Sequence, residues 1–430
     1  MKNIFLLLCV STAFLLAGCT ENTNKRLAQK ILQDERLLQV DSMAHELLKQ
    51  GFNAGSGYSE VWARDLNTFI ETSLDVVGQQ EVRGALLVFF HLQQPNGEMI
   101  DGYVTKEAYK PTNDPNPYYG PTDPDHVGFK NTVETDQETS LIQAVYKYIK
   151  KTGDEGFLKE KVGEQTVEER IHTMVDYLLR ERFSEEHGLI YGATTADWGD
   201  VQPLSDYVVD INQDSRMAID VYDNAMMLIA LDNMKELGIA TDAEVEKYDQ
   251  IKMQTRKLLW DGQRQKFIPH IYLGESPIPE GFNEDEVYYH GGTAVAIEAG
   301  LLSREEVANC NSYMLKNVEA SGMPTIGLTI YPTYPEGFFH GGMSKPYVYQ
   351  NGGDWTWFGG RMIQQLVRNG FVEEAYSEVD PMLQRVIDTG DFNEWWGLGN
   401  VPSGSKKFKG SAGVLSKAIH MLLDWAEENK

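Results

Sequence analysis

Asn224-Ala-Met-Met-Leu-Ile-Ala-Leu-Asp-Asn-Met234 is apolar on nearly every side, while the next helical run, Glu244–Trp260, is apolar on one side only. A helix apolar all round must be covered all round, whereas one that gathers Val245, Tyr248, Ile251, Leu258 and Leu259 on a single stripe can turn its other face to water. Between the two stand Gly238, where a left-handed C-terminal cap is needed, and Thr241-Asp-Ala-Glu244, a capping box that opens the second helix. The unit is therefore a hairpin of one inner and one outer helix.

Working outward, the same signals recur. Glu35–Lys49 places Leu37, Leu38, Val40, Met43, Ala44, Leu47 and Leu48 on one side, and Ser411–Trp425 is apolar nearly all round. Gly78, Gly153, Gly300, Gly370 and Gly390 each follow a helical run, and Ser303-Arg-Glu-Glu306 is a second capping box. About eleven or twelve helices in five to six hairpins are expected. A helical solenoid is also built from pairs, but it needs a fixed sequence period and none is present. The expected fold is all-α: two concentric rings of helices, an α/α toroid with short strands in long loops. Those loops are residues 95–135, 188–216 and 321–360, rich in Gly, Pro, Asp and aromatics; long connections in a compact domain are usually functional. No linker divides the chain, so residues 31–430 are read as one domain.

The N-terminal end reads differently. Lys2 precedes an apolar run from Ile4 to Leu16, too short to remain as a spanning helix, and Leu16-Ala-Gly-Cys19 follows. Residues 1–18 are read as a secretory signal that resembles those of bacterial lipoproteins, in which the cysteine, here Cys19, is lipidated; residues 19–30 are read as a polar tether. This implies a lipid-anchored protein of the bacterial cell envelope, on the outer membrane and facing the periplasm or the surface, with the anchor as its only membrane contact. Of three cysteines, only Cys310 is then left, so no intrachain disulfide or thiol metal site is expected.

A formal charge of −26 argues against nucleic acid as a partner. Eight Trp and 21 Tyr suit stacking on the apolar faces of neutral sugars, although large cores use them too. Cleaving a glycosidic bond needs one carboxylic acid to protonate the leaving oxygen and one carboxylate to activate water or attack carbon, beside groups that grip hydroxyls. Five segments offer these. Tyr58-Ser-Glu-Val-Trp-Ala-Arg-Asp65 sets Arg64 and Asp65 side by side near Trp62, either a surface ion pair or a bracket for two vicinal hydroxyls. Asn131-Thr-Val-Glu-Thr-Asp136 leads into a helix with an acidic first turn, with Asp136 a candidate sugar contact. Tyr191-Gly-Ala-Thr-Thr-Ala-Asp-Trp-Gly-Asp200 holds Asp197 against Trp198, either an Asp-Gly turn or a carboxyl whose pKa is raised by lost solvation. Tyr349-Gln-Asn-Gly-Gly-Asp-Trp-Thr-Trp-Phe-Gly-Gly360 offers Trp355 and Trp357 as walls or as core. Gly390-Asp-Phe-Asn-Glu-Trp-Trp-Gly397 puts Glu394 against Trp395 and Trp396.

In this order the segments resemble those of the six-hairpin glycosidases, the group of glucoamylases, glycogen-debranching glucosidases and glycoside hydrolase family 63. Trp62-Ala-Arg-Asp65 is similar to their W-x-R-D, Thr152-Gly-Asp154 to the end of their Y-x-x-x-T-G-D helix, and Asn351-Gly-Gly-Asp-Trp-Thr-Trp357 to their G-x-x-W-x-W loop. The resemblance implies an inverting, exo-acting hydrolase of an α-linked glycan such as an α-glucoside or α-mannoside. It implies Asp197 as general acid with Asp200 as the alternative, Glu394 as general base, and Arg64 with Asp65 as the terminal-sugar grip. Thr195 stands where that family's motif has a tryptophan, and Trp198 follows the acid instead.

Other readings of such a barrel are an unsaturated-glucuronide hydrolase, a lyase or an epimerase, for which His290 and His340 in matching His-Gly-Gly turns would be proton carriers, or a glycan-binding lipoprotein without catalysis. No cofactor is expected: no Gly-rich phosphate loop or zinc motif is present, and Asp123-Pro-Asp-His126 is a weak calcium signal beside its reading as a solvated acidic loop.

Overall fold

The computed structural model describes residues 22–110, 117–203 and 209–430. The signal segment and Cys19 lie outside the described residues. Among the described residues twelve helices follow residue 34 and carry the fold. They are α1 (Glu35–Leu48), α2 (Ala63–Val76), α3 (Gln79–Leu92), α4 (Gln137–Thr152), α5 (Val167–Glu181), α6 (Val221–Glu236), α7 (Asp242–Leu258), α8 (His290–Glu298), α9 (Arg304–Ser321), α10 (Thr356–Arg368), α11 (Val372–Thr389) and α12 (Lys409–Glu428).

The even-numbered helices pack side by side in sequence order, and α12 packs back on α2, so they close a ring of six. The odd-numbered helices lie outside it: α3, α5, α7, α9 and α11 each contact the inner helix before them, and α1 packs on α12, so the first outer helix completes the last hairpin. This arrangement is consistent with the α/α toroid. The burial pattern gives the physical reason. In α6 every residue from Val221 to Leu231 is buried, whereas α7 buries only Glu244, Tyr248, Ile251 and Thr255. Both expected capping boxes are formed, and Thr166 with Glu169 makes a third at α5. Gly153, Gly322 and Gly390 adopt the left-handed C-terminal cap.

The long loops hold the strands. Val61–Trp62, Gly102–Thr105, Asp123–Phe129 and Tyr118–Gly120 form an antiparallel sheet in that spatial order, and Asn393–Gly397 pairs with Val401–Lys406 as a hairpin just before α12. One boundary moves. Residues 22–32, most of them assigned above to a tether, are helical, and Ala28 and Ile31 are fully buried beside Leu37 and Val40. Two apolar residues three apart suffice to dock that turn on the core, so the packed unit begins before residue 31. Among the described residues no helix is long and apolar enough to cross a membrane.

Candidate functional site

Successive inner helices are separated by an antiparallel return, so they run the same way and their N-terminal ends meet at one end of the ring. Arg64 and Asp65 open α2, Glu134 precedes α4, Trp355 and Trp357 flank the start of α10, and Phe408 precedes α12; all line one cavity of about 200 Å³. Helix N-termini carry partial positive charge, which makes this the end where buried carboxylates cost least. Five line the cavity: Asp65, Asp101, Glu134, Asp200 and Glu394.

Glu394 sits on the first strand of the 393–406 hairpin, where the pairing register slips between Asn393 and Trp395. A bulge re-aims a side chain, and here Glu394 faces the cavity. Its Oε2 accepts the Ser405 N–H at 2.7 Å and its Oε1 the Tyr58 hydroxyl at 2.9 Å. Gly404, at φ +67°, leaves room for this: a Cβ there would lie 2.5 Å from Oε2. Burial raises the Glu394 pKa against the pull of those two donors, and the charge of Asp200 raises it further.

Asp200 is on the 194–200 loop. Its Oδ2 accepts the Tyr349 hydroxyl at 3.2 Å, and its Oδ1 is buried without a partner. Burial raises its pKa, opposed mainly by Arg64. Asp197, three residues earlier, goes elsewhere. It is in the left-handed region at φ 55° and lies with Asp220 and Asp223 in a separate hollow of about 10 Å³. Its two oxygens accept the Gly292 N–H at 2.8 and 3.0 Å, capping the first turn of α8 from across the fold. Burial pushes its pKa up to about 8. Of the two candidate acids, the structure places Asp200, not Asp197, on the cavity with Glu394.

Arg64 is half of a buried cluster rather than a free donor: its Nη1 bonds Asp101 at 2.7 Å and also Glu134, with Asp136 at 3.6 Å. Asp136 is fully buried behind it, accepts the Tyr222 hydroxyl at 2.6 Å, and does not line the cavity. Asp65 does line it, has an unpartnered oxygen, and is pushed up to about 7 by burial and by neighbouring carboxylates against the pull of Arg64. Trp62, Trp198, Trp355 and Trp357 form aromatic walls. Trp198 stacks on Phe358 at 4.4 Å and meets Trp355 and Trp357 edge-on at 4.7 and 5.0 Å. The indole N–H groups of Trp198 and Trp357 are buried without partners, that of Trp198 against Gly291 at the start of α8. Trp395 does not line the cavity and packs on Tyr349, which does.

Sequence reasoning passed over Asp101, Glu134, Tyr58 and Tyr349. Three of these lie inside quoted segments, and Asp101 had no local signal at all. The proton-carrier alternative finds little support: His290 is buried, bonds Asn317 at 3.0 Å and is pushed down to about 3, and neither it nor His340 lines the cavity. At the weak calcium signal, the Asp123 carboxylate is taken up by the Asp125 and His126 N–H groups and the His126 ring.

No family model and no curated sequence matches the chain. Solved structures do match in fold. A family 63 mannosylglycerate hydrolase from Thermus thermophilus, solved with glucose, superposes with a TM-score of 0.63 at 15% identity over 90% of this chain and 99% of that one. A rhamnosidase from Klebsiella oxytoca gives 0.57 at 14% over 89% and 63%, and a family 78 rhamnosidase from Bacillus sp. GL1 gives 0.59 at 14% over 89% and 34%. The chain thus spans most of the first of these and only part of the two rhamnosidases, and what it shares with all three is the fold.

Proposed function

We propose that this chain is a glycoside hydrolase in which Asp200 is the general acid and Glu394 the general base. The observation that carries the reading is that these two carboxyls, 194 residues apart in sequence, line one sugar-sized cavity with aromatic walls. Their surroundings separate their roles. Glu394 holds two donors, which favour the carboxylate that activates water. Asp200 holds one longer hydrogen bond and leaves an oxygen bare, which favours the protonated form that can give its proton to the leaving oxygen. Asp65 accepts from a sugar hydroxyl, and the Trp62, Trp198, Trp355 and Trp357 rings wall the sugar. Arg64 holds the acidic floor together.

The reaction runs with inversion and exo, removing one terminal sugar from an α-linked glycan; two carboxyls and water suffice, so no cofactor takes part. The solved relatives in fold are hydrolases of this general kind, which supports the class and leaves the sugar open. With Cys19 lipidated, the enzyme would work at the cell envelope on oligosaccharides arriving there.

The test is incubation with a panel of α-glucosides, α-mannosides and α-rhamnosides, with the anomer of the released sugar read by NMR. Release of one monosaccharide with inverted configuration, abolished by Glu394→Gln, is expected. Release from none of them, or a rate that survives Glu394→Gln, sinks the reading.

A further inference from the structure

Away from the sugar cavity, α1 and α12 bring together Asp41, His45 and His420. Asp41 and His45 are four apart, hence on one face of α1, and α12 carries His420 against them. The His420 Nε2 lies 3.1 Å from the Asp41 carboxylate and the His45 Nδ1 lies 3.4 Å from it. One donor atom from each of the three residues falls within 4.8 Å of the others. We propose that these three side chains form a binding site for zinc or a similar borderline divalent ion, with water completing the coordination.

The geometry suits such an ion. Bonds of about 2.0–2.1 Å in a tetrahedron put neighbouring donor atoms roughly 3.3 Å apart, which the two separations from Asp41 match, with all three donor atoms within 4.8 Å of one another. Two imidazoles and one carboxylate select zinc, cobalt or nickel over calcium and magnesium, which prefer all-oxygen shells. The carboxylate is held in place by a second partner, the Ser416 hydroxyl, which donates to Asp41 Oδ1 at 2.6 Å, the kind of support that orients metal ligands. The His side chains are partly exposed, at 26% and 38%, which gives the ion and its water a way in. The other ring nitrogen of His45 is buried without a partner, so Nδ1, which faces Asp41, is the atom this imidazole offers to the ion.

The place of the site gives it a purpose. It joins the first outer helix to the last inner helix, at the seam where the two ends of the chain meet, so a bound ion closes the toroid as a clasp. Such an ion stabilises the folded chain by mass action. The sequence conceals it because His420 stands 375 residues from His45.

The experiment uses the full chain made without a polyhistidine tag, stripped with chelator and titrated with zinc chloride by calorimetry, with circular dichroism to check the fold of each variant. One zinc per chain, a Tm that rises with zinc, no heat from calcium chloride, and at least about ten-fold weaker binding in His45→Gln and in His420→Gln are expected. Two separate variants are used so that loss of fold in one leaves the other to decide. No stoichiometric binding in excess zinc, or a site that both folded variants retain, overturns the proposal. Activity on a glycoside is not needed for the readout, so failure here and failure of the hydrolase reading are independent.

Discussion

Asp197 and Asp200 lie on one loop, three residues apart, both beside Trp198, yet they meet different fates. Asp197 turns inward and spends both oxygens on the Gly292 N–H at the start of α8; Asp200 turns to the cavity and keeps one oxygen bare. The backbone makes the difference. Asp197 sits at φ 55°, a conformation Asp tolerates better than most residues, and that turn throws successive side chains to opposite sides of the loop. A raised pKa and a tryptophan neighbour are therefore not enough to mark a catalytic acid. Both residues have them, and only access to the cavity separates the two.

The largest effect should come from removing the carboxyls that face the cavity. Asp200→Asn and Glu394→Gln should each lower kcat/KM by about 10²–10⁴-fold, the usual worth of a general acid or base, while the melting temperature barely moves. Asp197→Asn, whose amide oxygen can still accept from Gly292, should retain most of the rate. Steady-state kinetics on whichever glycoside the panel identifies decides the matter, and a collapse in Asp197→Asn with a surviving Asp200→Asn would reverse the assignment.

Next in size is Gly404→Ala. The added Cβ would stand 2.5 Å from Glu394 Oε2 at a backbone position of φ +67°, so Glu394 must leave its seat between Ser405 and Tyr58. The cost to stability exceeds about 1 kcal/mol, as for other Gly→Ala changes where φ is positive. The loss of rate should be far larger in proportion, because a base displaced by about an ångström loses its alignment. Kinetics and a thermal melt on the same sample test this, and an unchanged kcat would show that Glu394 does not need that seat.

How much of this could be read in advance follows the physics of each feature. The two kinds of helix were legible because burial on one side or on all sides is written in the spacing of apolar residues, as α6 and α7 show. The capping boxes at Thr241 and Ser303 were legible because they are local. The site was legible only in segments. Glu394 could be picked out by its two tryptophans, but its hydrogen bond from Tyr58 spans 336 residues. Asp101 and Glu134 could not be recognised as the partners of Arg64, since a buried ion cluster is a property of three chain segments meeting. Asp136 was singled out from the right segment, yet it is Glu134, two residues earlier, that reaches the cavity.

A third comparison separates what Asp197 does for stability from what it does for rate. Asp197→Ala leaves the Gly292 N–H buried without an acceptor and should cost about 1–3 kcal/mol, the penalty for an orphaned buried donor, whereas Asp197→Asn should cost much less. Chemical denaturation of the two variants beside the parent chain measures both. Equal losses would mean that the contact contributes little and that Asp197 is held by the turn alone.

The last effect concerns pH, and it follows from the direction in which burial moves the Asp197 proton. The ordinary carboxyl pKa of 3.8 becomes about 8 in the folded chain. Between those values the folded state holds a proton that the unfolded state has released. Stability from this group is therefore full at low pH and falls as the pH rises toward 8, beyond which the loss is complete. Asp197→Asn resembles the protonated acid at every pH and removes this slope. Its melting temperature relative to the parent should climb between pH 5 and pH 8.5, whatever its offset at the acid end. Asp65, at about 7, contributes a slope of the same sign in both proteins and cancels in the difference. A difference that stays flat across that range would mean that Asp197 is ionised in the folded chain even at acid pH. The α8 cap would then be a charged one, stabilised by the helix dipole, and the contrast with Asp200 would rest on position alone.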